Sequence, residues 1–505
     1  MMKKYIKINI QVLIAVSFML FGTSCSDFLE EIDPSNITAV GYFKTPAHAQ
    51  TALNSAYAPM KSILGGAYGG GPWLMVEFGS GLADSDLGQA DNSRIIRDLT
   101  NNPDNDYGLS HWNNNYEGIA NANLCIANIP GIEMDEALRN KYVGEAKFLR
   151  AYYYYQLVRL FGKVPLILEP VDLASPDLYP NQAEVADIYD LIVQDLIDAE
   201  SAYEALDLPY MDESGRVSLG AIKTMLSSVY LTMAGYPLQL GNPYYTLAAN
   251  KAQEVIDDGS FSLFPDYYDL YDPTMKNKGE NIFMVQYAAF TSPSNWQPHI
   301  IPYNLNISAY SAQTGAIYAN EEFINSYEPG DKRVEEKEFY YTEFTSKVNR
   351  DDTIQLGGYF LYKHFDLEAN LNTASSDLNW SIHRYAELLL IHAEALNELG
   401  TQDYSGLNAI RDRADLAPLS GLTQDEFRQA VWREKWHELS YENKTWFDMT
   451  RIRKGFDVTT GEFVDFVGYK PVYLNDRAMT ERELLFPIPT GEILNNTKLV
   501  QNDGY

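Results

Sequence analysis

The chain has 505 residues, of which 46% are apolar, and a formal net charge of −31 at neutral pH. This length and apolar content are enough for a large hydrophobic core, equivalent to about two to four ordinary domains. The strong negative charge repels nucleic acid and anionic lipid, and therefore argues against both as ligands.

Residues 1–24 have the features of a secretory signal. A positive start with three lysines precedes an apolar run over residues 8–21, which is too short to span a bilayer. Cys25 follows small residues suited to peptidase cleavage, which indicates the acylated first residue of a mature lipoprotein. Several acyl chains hold a protein firmly, because each buried methylene contributes about 0.8 kcal/mol. The alternative is an ordinary signal peptide cut near Ser24, since Gly22 stands where a lipobox usually has a larger residue.

No later apolar run reaches spanning length, so we expect the mature chain to be anchored to a membrane rather than to cross it. The segment after Cys25 predicts a solvated tether, because four of its residues are acidic: Asp27, Glu30, Glu31 and Asp33. Residues from Pro46 to Lys61 predict a helix, since Ala49, Leu53 and Ala56 recur at helical spacing.

Residues 62–113 are rich in glycine, asparagine and aspartate and show little periodicity, which predicts a long loop of functional interest. Tyr68 and Trp73 stand among glycines, where they would form the flat platform on which sugar rings stack. The groups available to bind sugar hydroxyls are the side chains of Asp84, Asp86 and Arg94. The alternative for Trp73 is an anchor that buries the loop, because an apolar run follows it.

The same loop raises the question of a metal. Asp84, Asp86 and Asp91 suggest calcium by their spacing, but the regular D-x-D-x-D-G loop is absent. We therefore predict no cofactor, and a structural calcium ion at these aspartates is the alternative.

Several amphipathic helices follow between residues 112 and 259. Trp112, Tyr116 and Ile119 share helical spacing and predict a core helix, in which Cys125 is a small buried residue. Four consecutive tyrosines, residues 152–155, point around a helix and are interpreted as packing residues. Helices are predicted over residues 144–162, 187–206, 220–235 and 244–259.

The helix at 220–235 has a later copy at 385–400. In both, an alanine stands fourteen residues before the closing glycine, and another amphipathic helix follows. Such helical hairpins cannot bury their apolar faces alone, and stacking them is typical of tetratricopeptide repeats, whose unit is about 34 residues. The sequence therefore predicts a mainly α fold, a tetratricopeptide-like helical-repeat scaffold with an inserted, irregular, loop-rich lobe.

Residues 260–380 form this predicted lobe. A strand-like run at 281–288 precedes a stretch rich in proline, serine and asparagine. Aromatic side chains on such loops are candidate ligand contacts, because loops on a rigid frame commonly bind ligands. The candidates are Trp296, Tyr303 and Tyr310, with His299 beside them. The alternative is that these rings pack the lobe internally.

Catalytic motifs are missing from the sequence. Neither H-E-x-x-H nor C-x-x-C nor G-x-S-x-G occurs, and His383 and His392 are too far apart for a zinc pair on one helix. With 69 acidic residues, no pair of carboxylates can be singled out for glycoside hydrolysis. The charged residues between Arg433 and Arg453 are interpreted as an ion-paired helical face without chemistry. We predict that the protein is not an enzyme.

Five stretches, in order and over almost the whole chain, resemble the SusD/RagB family of outer-membrane nutrient-binding lipoproteins. They are CSDFLEEIDPSN (25–36), WNNNYEGIANAN (112–123), GEAKFLRAYYYYQLVRLFGKVPLI (144–167), RYAELLLIHAEALNELG (384–400) and LLFPIPTGEILNNTKLVQNDGY (484–505). The resemblance implies a signal at 1–24, an N-terminal part at 25–270 with the repeats, and a C-terminal part at 271–505 with most of the lobe and the last repeat. The acidic residues after Cys25 resemble the export signal of such surface lipoproteins.

The resemblance further implies a non-catalytic protein, lipid-anchored through Cys25 at the outer-membrane surface. It would capture an oligosaccharide and deliver it to a SusC-like TonB-dependent transporter, on whose barrel it acts as a lid. The lobe, facing the early loop, is where many members hold glycans. Capture of oligopeptides, as by some members, is one alternative. A surface glycoside hydrolase and an envelope component without a small ligand are others of a different class.

Overall fold

The computed structural model describes residues 42–64, 72–85, 91–171, 178–294, 296–308, 313–345, 352–370, 375–472, 474 and 477–505. The side chains of residues 63, 64 and 72–75 lie outside this description. Helices dominate the described residues, so the predicted mainly α fold is confirmed. None of these helices combines the length and the apolar character needed to cross a bilayer.

The α-helices of the described residues are α1 Pro46–Leu64, α2 Pro72–Ser80, α3 Asp91–Arg97, α4 Asp106–Asn128, α5 Glu136–Phe161, α6 Val185–Ala205, α7 Leu219–Ala234, α8 Asn242–Asp258, α9 Gln297–Ile300, α10 Glu321–Ile324, α11 Tyr385–Glu398, α12 Tyr404–Arg413, α13 Gln424–Glu438, α14 Thr445–Ile452 and α15 Thr490–Asn495. The strands are β1 Ala83–Asp84, β2 Asn281–Val285, β3 Tyr318–Ala319, β4 Tyr340–Thr345, β5 Thr353–Leu361, β6 Trp380–Arg384, β7 Lys454–Asp457 and β8 Glu462–Asp465.

The long helices stack side by side in nearly their chain order. α1 packs on α4, α4 on α5, α5 on α6, α6 on α7, α7 on α8, and α8 on α11 of the last repeat. Side-chain caps fix where several of them begin. Asn105 accepts the amide of Tyr107 at α4, Asp135 accepts that of Leu138 at α5, and Ser218 opens α7 in the same way. The two predicted helical hairpins, whose first helices were placed at 220–235 and 385–400, are therefore present.

Helix α5 packs against α1, α4 and α6, and most of its side chains after the first two turns are buried. Tyr152, Tyr153, Tyr154 and Tyr155 are all buried, which confirms that they are packing residues. The hydroxyl of Tyr153 donates to the carbonyl of Ala56 (2.6 Å), and that of Tyr154 donates to the carbonyl of Ile167 (3.0 Å). Buried tyrosines are tolerated when the hydroxyl finds such a partner. Cys125 is a buried free thiol, as predicted.

The prediction of a long loop over residues 62–113 is wrong for most of the residues of this stretch that the structure describes. This stretch contains α2, α3 and the start of α4. Helices of seven or nine residues, as α3 and α2 are, complete about two turns. An amphipathic repeat cannot be recognised over so short a length. The surrounding glycines and asparagines, which are typical of loops, also favoured the prediction of a loop.

The lobe is built on a four-stranded antiparallel sheet in the order β1-β3-β5-β4. Its first strand comes from the early part of the chain, because Ala83 is paired with Ala319. The strand predicted at 281–288 is confirmed as β2, which pairs with β6. Since β6 runs directly into α11, the lobe is joined through its backbone to the last repeat.

A group of charged side chains fastens the lobe to the last repeat. We call it the buried ion cluster, and it consists of Glu280, Asp331, Arg333, Lys363, Arg384, Arg413, Glu434, Glu438 and Glu442, all of them buried. Arg384 donates to Glu280 and to Glu438 (2.7 Å each) and to Glu442 (2.7 Å). Burial alone would raise the pKa of Glu438, but neighbouring guanidinium groups, Arg413 first, lower it to about 2.

The ion pairs predicted between Arg433 and Arg453 are present at Glu434, Glu438 and Arg451, and these lie in the interior. Trp436, in the same stretch, is buried as well. Arg433 instead donates to the carbonyl of Gly461 (2.8 Å).

Candidate functional site

The end of α1 and a turn of the lobe meet at the surface. Lys61, in the last turn of α1, donates to the hydroxyl of Ser292 (2.5 Å), and its ammonium lies 5.5 Å from the centre of the Tyr287 ring. Burial lowers the pKa of Lys61. The lobe turn, residues 288–292, is thereby held against the repeat scaffold, and we call it the rim turn.

The rim turn presents an aromatic ring to solvent. Its ends, Ala288 and Ser292, exchange two backbone hydrogen bonds (3.0 and 2.8 Å). Phe290 lies between them in the left-handed region (φ 68°), and its side chain is 77% exposed. Its amide donates to the hydroxyl of Ser375 (2.6 Å), which fixes the backbone in this conformation. A non-glycine residue in this region is strained by about 1–3 kcal/mol, and such strain is concentrated at functional sites.

Phe290 was missed by the sequence analysis. The signal that would have found it is the sequence Ala-Ala-Phe-Thr-Ser-Pro, in which a single aromatic residue follows a buried strand and precedes turn residues. Such a pattern makes the ring a candidate for exposure, but it does not distinguish an exposed ring from one that packs inward, as Trp296 does.

Tyr303 is a second exposed ring of the lobe, with 55% of its surface accessible. It lies in a short turn between Pro302 and Asn304, and Asn304 is left-handed (φ 58°). The base of the turn is closed by the amide of Gly315, which donates to the carbonyl of Ile301 (2.8 Å). The ring of Tyr303 is exposed and can contact a ligand, and its role in binding stays a prediction.

The prediction that Trp296 is a ligand platform is wrong for this structure. Its side chain is fully buried, and its indole packs edge-on against Tyr287 (4.9 Å between ring centres) and Trp380 (5.5 Å). His299 is also buried, and burial lowers its pKa to about 4, which leaves it neutral. Both side chains pack the lobe internally, as the alternative interpretation had it.

Four of the other candidates, Cys25, Tyr68, Asp86 and Tyr310, lie outside the described residues. Trp73 belongs to α2, but its side chain lies outside the description as well. Arg94 is exposed on α3 and forms an ion pair with Asp91, one turn earlier. This ion pair lies within α3 and does not connect Arg94 to the rim turn or to Tyr303.

The aspartates considered for calcium have protein cations as partners where the structure describes them. Asp84 accepts from Arg97 (2.6 Å), and Asp91 pairs with Arg94. Elsewhere in the described ranges, one set of three carboxylates is close enough to hold a metal, namely Glu200, Glu204 and Glu254. The ammonium of Lys223 lies among them, 2.7 Å from Glu204 and 3.0 Å from Glu200. Lys251 pairs with Glu200 and Glu254, so two protein cations offset most of the negative charge.

The two histidines considered for catalysis are interior residues. His383 lies 2.9 Å from Glu387, and His392 lies 3.7 Å from Asp403. Burial lowers the pKa of both, which keeps them neutral at pH 7. His392 is therefore a buried residue of α11.

Comparison with known families gives two matches that together cover most of the chain. A model described as SusD family matches residues 307–505. A model described as starch-binding associating with outer membrane matches residues 27–231.

Similar proteins extend over the full length. SusD-like protein P2 of Formosa agariphila is 30% identical over the whole of both chains. The crystal structure of a SusD superfamily protein from Parabacteroides distasonis is 39% identical, with a TM-score of 0.86, and the match covers 91% of this chain and 99% of that one. Surface glycan-binding protein A from Bacteroides thetaiotaomicron, in complex with laminarihexaose, has the same fold at 21% identity, with a TM-score of 0.73 and coverage of 91% and 100%.

Proposed function

Because this chain belongs to the SusD family, we propose that it is a non-catalytic, glycan-binding protein of the outer-membrane surface that delivers oligosaccharides to a SusC-like TonB-dependent transporter. The solved relative that holds laminarihexaose supports an oligosaccharide as the ligand. The family description that mentions the outer membrane supports the location.

The observation that carries this proposal is the rim turn. Phe290 is held in a strained conformation, exposed, and tied through Ser292 to the end of the repeat scaffold. A rigid exposed ring of this kind presents a flat apolar face, and the apolar faces of sugar rings stack on such surfaces. Tyr303 supplies a second ring on the same lobe, together with a hydroxyl that can bind a sugar hydroxyl.

Membrane attachment completes the proposal. Cleavage of residues 1–24 would leave Cys25 as the acylated first residue, and the acidic segment behind it would serve as the tether. In this arrangement residues 25–270 supply the early repeats, and residues 271–505 supply most of the lobe and the last repeat. Energy for import would be supplied elsewhere, and this chain would act by capture alone.

The test is calorimetry of the chain from residue 26 to 505 against neutral polysaccharides and their oligomers, laminarin included. We expect saturable binding to one glycan, and a loss of about 3- to 10-fold in affinity for Phe290→Ala, since a stacked aromatic pair contributes about 0.5–1.5 kcal/mol. Tyr303→Ala should weaken binding to a similar extent.

Tyr268→Ala is the matched control, because Tyr268 is 53% exposed and lies outside both turns. Its affinity should equal that of the unmodified chain. Unchanged binding in both Phe290→Ala and Tyr303→Ala would contradict the assigned site. Binding of a peptide digest instead of any glycan would replace the proposal by oligopeptide capture, and release of reducing sugar would indicate a hydrolase.

A further inference from the structure

A second concavity of the molecule contains none of the rim-turn residues. It is a cleft of about 840 Å³ between the end of α5, the start of α6, Tyr236 and Pro237 after α7, the end of α14, and residues 481–504. We call it the C-terminal cleft. Pockets that bind small ligands commonly enclose about 300–1,000 Å³, so its size suits an oligosaccharide fragment.

The C-terminal cleft differs from the rest of the molecule in charge. Six of its lining residues are basic and three are acidic, whereas the whole chain carries a net charge of −31. The basic residues are Arg159, Lys163, Arg451, Arg453, Arg482 and Lys498. A concave wall with a local excess of positive charge attracts anions, and it does so against the field of an acidic protein.

Arg453 is the basic residue whose hydrogen bonding is incomplete. It ends α14 in the left-handed conformation (φ 57°), and its guanidinium lies 4.8 Å from the centre of the Tyr236 ring. The Nε and Nη1 atoms are buried without a hydrogen-bond partner, and no carboxylate of the described residues pairs with them. Burial lowers the pKa of Arg453, although the charge of Glu481 acts in the opposite direction. Buried donors of this kind destabilise a protein unless another group bonds to them.

Arg159 is a second guanidinium of the cleft without a carboxylate partner among the described residues. It lies between the rings of Tyr155 and Phe447, 3.7 and 3.8 Å from their centres, and its Nε donates to a backbone carbonyl. The neighbouring Arg451 shows the contrast, because it is paired with Glu394 and Asp448. Two guanidinium groups that line the cleft therefore have no carboxylate of the described residues to neutralise them.

We propose that the C-terminal cleft binds a uronate unit of an acidic oligosaccharide, with Arg453 pairing with its carboxylate and Tyr236 packing against its ring. This inference rests on the proposed function, because it names a class of glycan that the protein takes. A guanidinium beside an aromatic face matches a uronate, since a uronate carries its carboxylate on a ring with an apolar C–H face. Tyr236 is partly exposed, as this contact requires.

The experiment is calorimetry of residues 26–505 with trigalacturonate, at low and at physiological salt. We expect saturable binding that weakens as salt rises, because the attraction is between charges. The fully methyl-esterified trimer, which keeps the sugar rings and loses the charge, should bind at least 10-fold more weakly. Arg453→Met should lower the affinity for trigalacturonate by about 10- to 100-fold, the range for charge-assisted hydrogen bonds. Arg453→Lys should lower it less, because it keeps the positive charge.

Absence of trigalacturonate binding would overturn the inference, as would equal binding by Arg453→Met. Hexaglutamate that binds as tightly as the uronate would overturn the assignment to a saccharide. Thermal unfolding of each variant verifies that a lost affinity is not a lost fold, and Arg453→Lys provides the comparison if Arg453→Met does not fold. Phe290→Ala separates the two proposals, because it should weaken binding of the neutral glycan and leave trigalacturonate binding unchanged.

Discussion

Two regions of this protein are equally well buried and are held together by different forces. Around α5, the stack is mainly apolar and aromatic, and tyrosine hydroxyls there are bonded to backbone carbonyls. Its buried charges form separate pairs, Arg150 with Asp195 and Arg216 with Glu145. Between the lobe and the last repeat, the contact is made by the buried ion cluster. A single carboxylate of this cluster, that of Glu438, pairs with three arginines, Arg333, Arg384 and Arg413.

The comparison shows how each kind of interface should respond to change. Apolar packing is non-directional and independent of pH, so it responds mainly to volume. A buried ion cluster is stable only when every member has its partners, because a charge left alone in the interior is strongly destabilising. The first region should therefore be sensitive to added atoms, and the second to removed charges and to pH.

The largest effect is expected for Arg384→Met. This substitution leaves Glu280, Glu438 and Glu442 without a shared guanidinium, and breaking a buried ion pair lowers the free energy of unfolding by about 3–5 kcal/mol. Denaturant unfolding of residues 26–505 measures it. Arg428→Met is the control, because Arg428 pairs with Glu398 and Asp425 at a partly exposed position. In Arg428→Met the free energy of unfolding should fall by less than about 1 kcal/mol. An equal fall in both variants would contradict the distinction between buried and exposed ion pairs.

The next effect concerns pH and Glu77 of α2, which accepts the amide of Asn443 (2.5 Å) beside the ion cluster. Burial raises its pKa from 4.5 to about 8. A raised pKa in the folded state means that the protonated form stabilises the fold below pH 4.5 and that this contribution is lost as pH rises to 8.

Relative to Glu77→Gln, whose side chain stays neutral, the unmodified chain should therefore lose about 3 kcal/mol of unfolding free energy between pH 5 and pH 8. Denaturant unfolding at several pH values measures the difference. The comparison between two chains cancels the opposite contribution of buried histidines such as His111, whose pKa is lowered to about 3 by burial. A difference that does not vary with pH would show that Glu77 is ionised in the fold.

The smallest effect is expected in the aromatic region, for Gly118→Ala of α4. The added methyl carbon would lie 2.3 Å from the ring of Tyr153, and overpacking of this kind lowers the free energy of unfolding by about 1–3 kcal/mol. Gly108→Ala, in the same helix, meets no atom within 4 Å. It should be neutral or stabilising by less than about 1 kcal/mol, because alanine favours helix. Chemical denaturation of both variants measures the two free energies of unfolding. Similar decreases in Gly118→Ala and Gly108→Ala would contradict the explanation by overpacking.

The two regions also differ in how far the sequence predicted them. The helices around α5 were predicted because their apolar residues recur every three or four positions. Apart from Asp331 and Arg333, the partners in the ion cluster are separated by tens of residues. With 69 acidic residues available, no periodicity selects Glu438 as a partner of Arg384. The resemblance to the SusD/RagB family was confirmed, and it correctly implied a mainly α repeat fold.

The sequence predicted the meeting of two regions of the chain, and the location of individual side chains less accurately. The lobe and the early part of the chain do meet, at Lys61 with Ser292 and at β1 with β3. Trp296 was wrong because a tryptophan among loop residues can equally fill the interior of the loop, and burial depends on the fold around it. Phe290 was missed because its exposure follows from a strained turn, which a hydrophobicity pattern does not reveal.

Early and late segments of the chain are joined by hydrogen bonds. The hydroxyl of Tyr441 donates to the carbonyl of Leu82 (2.9 Å) across 359 positions, and the amide of Thr490 donates to the carbonyl of Pro103 (3.0 Å). Ribosomes add about 5–20 residues per second, so the segment near Leu82 waits roughly 20 to 70 seconds for its final partner. During that interval its apolar side chains, Phe78 and Leu82 among them, are without their final cover. Holding chaperones should therefore contact the nascent chain near Leu82.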